Sequence, residues 1–306
     1  MSSKTLNHLD NLIYPMIYQQ MNTLRLMTAN KAVWRTIVRQ AFAITLGVIV
    51  AVWLTMPSYA ADPTKDVADA QRIAEELKAF EDPTILKPRV WLDTEWNTFK
   101  DGTNNVDLTL GGLWTWAVSA NQDWAVRLKV PLLLHFAGNA DTDSDTQDLG
   151  DIKLGTGTAF RLSESWRIGG GLELRFPTTT DHDPSNDQWR VQLLGAIAWD
   201  ITRQFTFSPS FEYNKSFSDE HGAVPKDFLE MFFPITYLLP GHWSVTARYE
   251  AKVDFENDNT LTQSAKLQVA KQLDRLPLGF ALSIKKTFDG GDKKFQVNFV
   301  STYYLW

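Results

Sequence analysis

Trp243-Ser244-Val245-Thr246-Ala247-Arg248-Tyr249-Glu250-Ala251-Lys252-Val253-Asp254 is the stretch on which the reading of this chain turns. Every second residue, from Trp243 to Val253, is apolar, and the residues between are polar or charged. That period of two belongs to an extended strand with one apolar and one polar face. The pattern recurs in Trp124-Val126-Leu128-Val130-Leu132-Leu134-Phe136 against Arg127, Lys129 and His135, and in Trp166-Ile168-Gly170-Leu172-Leu174-Phe176 against Arg167, Glu173 and Arg175. A soluble sandwich alternates too, but its strands run about five or six residues. These run ten to fourteen, the length of a tilted strand crossing a bilayer.

Working outward by turn signals gives twelve strands, near 89–100, 105–118, 123–136, 150–162, 166–176, 189–200, 203–215, 227–238, 242–254, 260–272, 277–287 and 294–306. Connections at 119–122, 163–165, 202–204, 240–242 and 274–277 are tight, whereas 137–148, 177–188 and 217–226 are long, polar and acid-rich. Short turns on one side and long loops on the other mark a transmembrane barrel. The fold expected is all-β: an antiparallel up-and-down transmembrane β-barrel over 87–306, with every tight turn in the periplasm. Apolar positions then face lipid, and Trp124, Trp166, Trp189, Trp199 and Trp243 fall near strand ends, where aromatic girdles sit.

Composition narrows the function. The 306 residues carry 30 basic and 36 acidic side chains and no cysteine. There is no polycation for nucleic acid, no disulfide framework and no thiolate metal site. Residues 1–60 read as a signal peptide: Lys31, Arg35 and Arg39 precede the uncharged run Ala41–Met56, then Ser58 and Ala60 form a small-x-small cleavage site. Met21 or Met27 gives a more usual start; the alternative is an uncleaved anchor. Without the five basic residues and one acidic residue before position 61, 25 basic and 35 acidic remain, a charge of −10. Residues 61–86 form an N-terminal helical segment, with Val67, Ala70, Ile73, Ala74 and Leu77 at helical spacing and Pro83 and Pro88 beyond.

The inward face holds the candidate site. Counting along strands puts Lys129, Arg248, Glu250, Lys266 and Lys285 near the midplane, flanked by Arg127, Arg175 and Arg190. Twelve strands enclose a narrow path that such side chains nearly close. Basic residues from strands three to six, Lys153, Arg161 and Arg167 included, stand beside Asp93, Glu95 and Asp107 from strands one and two. A cationic wall of this kind favours anionic or dipolar solutes; the alternative is that the charges pair across strands and stiffen the wall. Gly155, Gly157, Gly169 and Gly171 also point inward on adjacent strands. The expectation is that the helix near 64–80 or an inward loop lies on this bare patch as a plug. Otherwise the glycines ease curvature.

A family resemblance adds to this. Leu149-Gly150-Asp151-Ile152-Lys153-Leu154-Gly155 and Gly171-Leu172-Glu173-Leu174-Arg175-Phe176-Pro177-Thr178 resemble the Gly-Asp-aliphatic and Pro-Thr-closing strands of the outer-membrane barrel family labelled as the MetA-pathway of phenol degradation. Thr179 stands where that family often has Gly. The terminal Tyr304-Leu305-Trp306 is similar to the aromatic end that outer-membrane barrels present to their assembly machinery. The resemblance implies a transporter-like protein of the Gram-negative outer membrane for small solutes, aromatic compounds among them. Lipid bilayer and lipopolysaccharide are the surroundings so implied.

No cofactor or metal is called for. Asp141, Asp143, Asp145 and Asp148 lack the Gly and bidentate Glu of a calcium loop. The alternatives are a lipid-hydrolysing barrel, which needs a Ser-His-orienter set on the outer wall, and a passive scaffold. His135 is the histidine placed inside a strand, facing inward, while His182, His221 and His242 fall in loops or at a turn.

Overall fold

Alternation of side chains along the chain resolves into fourteen strand segments in a computed structural model that describes residues 63–136, 146–178, 188–217, 225–274 and 276–305. They are β1 (Arg89–Phe99), β2 (Asn104–Ser119), β3 (Gln122–Phe136), β4 (Thr146–Leu149), β5 (Lys153–Arg161), β6 (Trp166–Arg175), β7 (Arg190–Asp200), β8 (Phe205–Phe207), β9 (Ser210–Ser216), β10 (Asp227–Leu239), β11 (Trp243–Asp254), β12 (Thr260–Gln272), β13 (Leu278–Asp289) and β14 (Lys293–Tyr304). Each pairs antiparallel with its neighbour, and β14 returns to β1 from Arg89↔Tyr304 onward. β4 and β5 both pair with β3, and β8 and β9 both lie between β7 and β10. The fourteen segments therefore form twelve barrel strands, closed, with no free edge.

The strand expected over 203–215 is broken, and the strand expected from 150 is preceded by an extra piece, β4, that reaches into the stretch expected to be a loop, each for a local reason. Pro209 has no N–H to give to the ladder, and it separates β8 from β9. Between β4 and β5 the break falls at Gly150-Asp151-Ile152. There the Thr178 hydroxyl accepts the Ile152 N–H (2.9 Å) and donates to the Gly150 carbonyl (3.1 Å), standing in for ladder bonds.

The faces separate as the alternation requires. Leu110 (60% exposed), Leu267 (48%) and Leu282 (50%) look outward, whereas Asn97 and Gln272 (0%), Glu173 (2%) and Gln268 (3%) look inward. Trp166 stacks on Trp199 (5.4 Å) near the tight-turn end. At the other end Trp189 meets Phe176 (5.1 Å) and Phe217 (6.3 Å). These outer aromatics occupy the two rims, the positions of interfacial girdles.

The helix α1 runs over Pro63–Lys78, opened by proline at a position where its missing N–H costs nothing. Arg72 clips to Asp69 and Glu76 on its polar side. Ile73 and Leu77, one turn apart, pack on the inward-facing Ala270 and Ala281, with Phe80, Leu238 and Val300 around them. Tyr304 Oη donates to the Glu76 carbonyl (2.6 Å) and Arg89 Nη1 to that of Ala79 (2.9 Å), tying the helix end to β14 and β1. Small residues on the wall make the room: a Cβ on Gly279 would lie 3.1 Å from the Phe80 ring.

Candidate lumen site

Residues 78–86 carry the chain from α1 across the barrel interior. Ala79 to Asp82 form a tight turn on the helix end, with Glu81 N–H and Asp82 N–H both donating to the Lys78 carbonyl. That turn throws two successive carboxylates to opposite walls. Glu81 accepts from Arg248 Nη1 and Lys266 Nζ, both at 2.7 Å, on β11 and β12. Asp82 accepts from Arg167 Nη2 on β6 (2.9 Å) and caps its own turn through Thr84 N–H (2.9 Å). Arg167 also holds Asp200 (2.5 Å), which takes Lys78 Nζ (2.7 Å) and the Thr206 hydroxyl (2.6 Å). Burial alone would raise the Glu81 carboxyl, but Arg248 and Lys266 outweigh it and hold it below the usual carboxylate range.

Of the lumen charges expected from the sequence, Arg161 is exposed at the end of β5, and most of the others are brought onto a carboxylate. Glu173 takes Arg127 (2.6 Å) and Lys129 (3.5 Å), and Asp151 takes Arg175 (2.6 Å). Glu250 takes Lys285 (2.5 Å), pairs with Arg248 and accepts from Ser264 (3.1 Å). Lys266 is spent on Glu81. On the acidic strands, Asp93 accepts from Asn298 (2.6 Å), and Glu95 from Lys293 (3.2 Å) and Gln296 (2.8 Å). Arg190 sits over the Phe228 ring at 5.8 Å. The wall is a paired lattice more than a uniform cationic face, the second of the two arrangements the sequence left open.

Of the four glycines, Gly169 meets the N-terminal segment: a Cβ there would lie 3.5 Å from Thr84 Cγ2. Gly157 and Gly171 face each other across β5 and β6, and a Cβ on Gly171 would approach the Thr156 carbonyl to 2.6 Å. Gly155 faces the Leu172 carbonyl and Glu173. Between Pro83 and Leu86 of the segment and this glycine floor lies a slot of ≈ 100 Å³, with Leu113 and Leu194 beside it. Toward the long-loop end a second cavity of ≈ 540 Å³ opens, lined by the basic Lys153, Arg175 and Arg190 and by the acidic Asp151, Glu173, Glu212 and Glu230.

Sequence reasoning missed Glu81, Asp82 and Asp200 as members of this site, because their partners arrive from strands far along the chain. Asp151, in the Gly-Asp-aliphatic stretch, is ion-paired to Arg175 in the stretch that closes in Pro-Thr. His242 meets Asp274 at 2.5 Å across two tight turns, away from any lumen group named above. Among the described residues no group of His, Asp and Glu is arranged to hold a metal. Residues 1–62, Asp141, Asp143, Asp145, His182, His221 and Trp306 lie outside the described residues.

No protein-family model matches the chain, so the resemblance over residues 149–178 stands on those residues alone, and no curated protein matches the sequence. Solved structures do match in shape. An outer membrane channel from Pseudomonas putida F1 aligns with TM-score 0.62 and 12% identity, over 72% of this chain and 96% of that one. The NanC porin aligns at 0.50 and 9%, over 71% and 100%. The β domain of a Bordetella autotransporter aligns at 0.50 and 11%, over 72% and 100%. At such identities the likeness is one of fold: this chain forms a barrel of the outer-membrane type.

Proposed function

We propose that this protein is an outer-membrane conduit for small solutes, anionic or dipolar ones among them, whose lumen is narrowed at its periplasmic end by its own N-terminal segment. The observation that carries the reading is the interior itself. Ion-paired and polar residues line it, a cavity of ≈ 540 Å³ stands open toward the long loops, and residues 78–86 cross it below. A barrel that needed only a stable wall would gain more from a packed apolar interior, since taking many charges out of water is costly. Two structural neighbours, a channel and a porin, agree with it.

The slot under Pro83 and Leu86 gives an apolar group a place, which accommodates the aromatic solutes that the resemblance implies. The same reading places the chain in the Gram-negative outer membrane among lipopolysaccharide, exported by a cleaved signal peptide and offering Trp306 to the assembly machinery. Single-channel recording in planar bilayers, with reversal potentials in a salt gradient, tests it. Small discrete conductance with anion preference supports a selective conduit. A folded barrel that stays silent, with residues 62–82 present or deleted, refutes it in favour of a closed scaffold or a lipid hydrolase.

A further inference from the structure

The strand register stacks like charges. Lys129 pairs with Lys153, Lys153 with Arg175, and Arg175 with Arg190, so four basic residues stand in one row across β3, β5, β6 and β7. Adjacent strands lie about 4.8 Å apart, and like charges set directly opposite each other destabilise a sheet. Two carboxylates relieve part of the row: Glu173 beside Lys129, and Asp151 on Arg175. Lys153 and Arg190 have no ion-pair partner among the described residues. Arg190 is 8% exposed, its Nε is buried without a hydrogen-bond acceptor, and both residues line the ≈ 540 Å³ cavity.

An uncompensated buried guanidinium is costly unless something accepts from it. Its planar fork matches an oxyanion with two acceptor oxygens, and an ammonium two strands away supplies a second point charge. We propose that Lys153 and Arg190, with Arg175 between them, form a binding site for a small solute bearing a carboxylate or phosphoryl group. The site rests on the reading of the barrel as a conduit and names the solute chemistry that its upper cavity selects.

Calorimetric titration of the folded full chain in detergent, with inorganic phosphate and with succinate, tests the site. Each of Lys153→Gln and Arg190→Gln should weaken binding at least about tenfold. Lys271→Gln, at the tight-turn rim, should leave binding unchanged. Tighter binding of succinate assigns a carboxylate and tighter binding of phosphate a phosphoryl group; either result supports the site. Heat-modifiable migration on gels establishes that the variants are folded. Folded protein that binds neither probe, or binding that survives both substitutions, overturns the site. Equilibrium binding does not need conduction, so a silent barrel that binds refutes the conduit alone, and a conducting barrel that does not bind refutes this site alone.

Discussion

Glu81 is the residue on which the placement of the N-terminal segment depends most, since one carboxylate faces two cations from two strands. Glu81→Gln leaves Arg248 and Lys266 facing an amide, and breaking a buried pair of this kind costs roughly 3 kcal/mol. The expected outcome is faster proteolysis of residues 63–88 in the folded barrel and more frequent channel openings. The carboxyl is held below the value of about 4.3 that it has when exposed. Its contribution is therefore complete above that pH and disappears as pH falls through the lowered value. Opening frequency should stay flat from pH 7 to about pH 5 and rise only in stronger acid, and the rise should vanish in Glu81→Gln. The two faces allow an equally simple check. Leu267, outward and 48% exposed, is the chain neighbour of inward Lys266. Leu267→Arg puts a charge into lipid near mid-strand and should lower stability by about 2–4 kcal/mol in urea unfolding from vesicles. Which residues face inward was legible from alternation alone. What each inward charge touches was not: Glu81 and its partners are separated by 167 and 185 positions, and no local pattern encodes such a pairing.

Among elements, β5 and β6 are the most constrained. Gly157 and Gly171 pair directly, and their lack of side chains lets the two backbones approach more closely than any Cβ permits. Gly171→Ala should cost about 1–3 kcal/mol, read as a lowered urea midpoint. Gly155→Ala, where the nearest atom is 3.3 Å away, should cost less. Strand number, order and turn placement could be read from the sequence because hydrophobic period and turn composition are local properties. The break at Pro209 is signalled by that residue, although the strand expected over 203–215 ran through it. The break at Gly150-Asp151 was not, because what replaces the ladder is a hydroxyl from Thr178, beyond the end of β6. Both broken strands supply inward acids near the interruption, Asp151 to Arg175 and Glu212 to Gln192 (2.6 Å).

On the scale of the whole molecule, the account holds that the lumen and the N-terminal segment form one unit: a polar barrel with a strap across it, fixed at Glu81 to one wall and at Asp82 to the other. The helix could be predicted from its spacing, but not its seat on Ala270 and Ala281 away from the glycines of β5 and β6, nor the anchoring acids. Because the chain contains no cysteine, a single engineered pair reports on this arrangement without interference. Thr84 and Gly169 suit it, since a Cβ on Gly169 would lie 3.7 Å from Thr84 Cα, within the reach of a disulfide. The most direct measurement is single-channel recording of the Thr84→Cys, Gly169→Cys full chain, oxidised and then reduced in the same bilayer. The account predicts that the disulfide forms in the folded barrel, that the oxidised protein stays at its lowest conductance, and that reductant restores openings. A folded barrel in which the two thiols do not join, or one whose conductance is the same locked and unlocked, would contradict it.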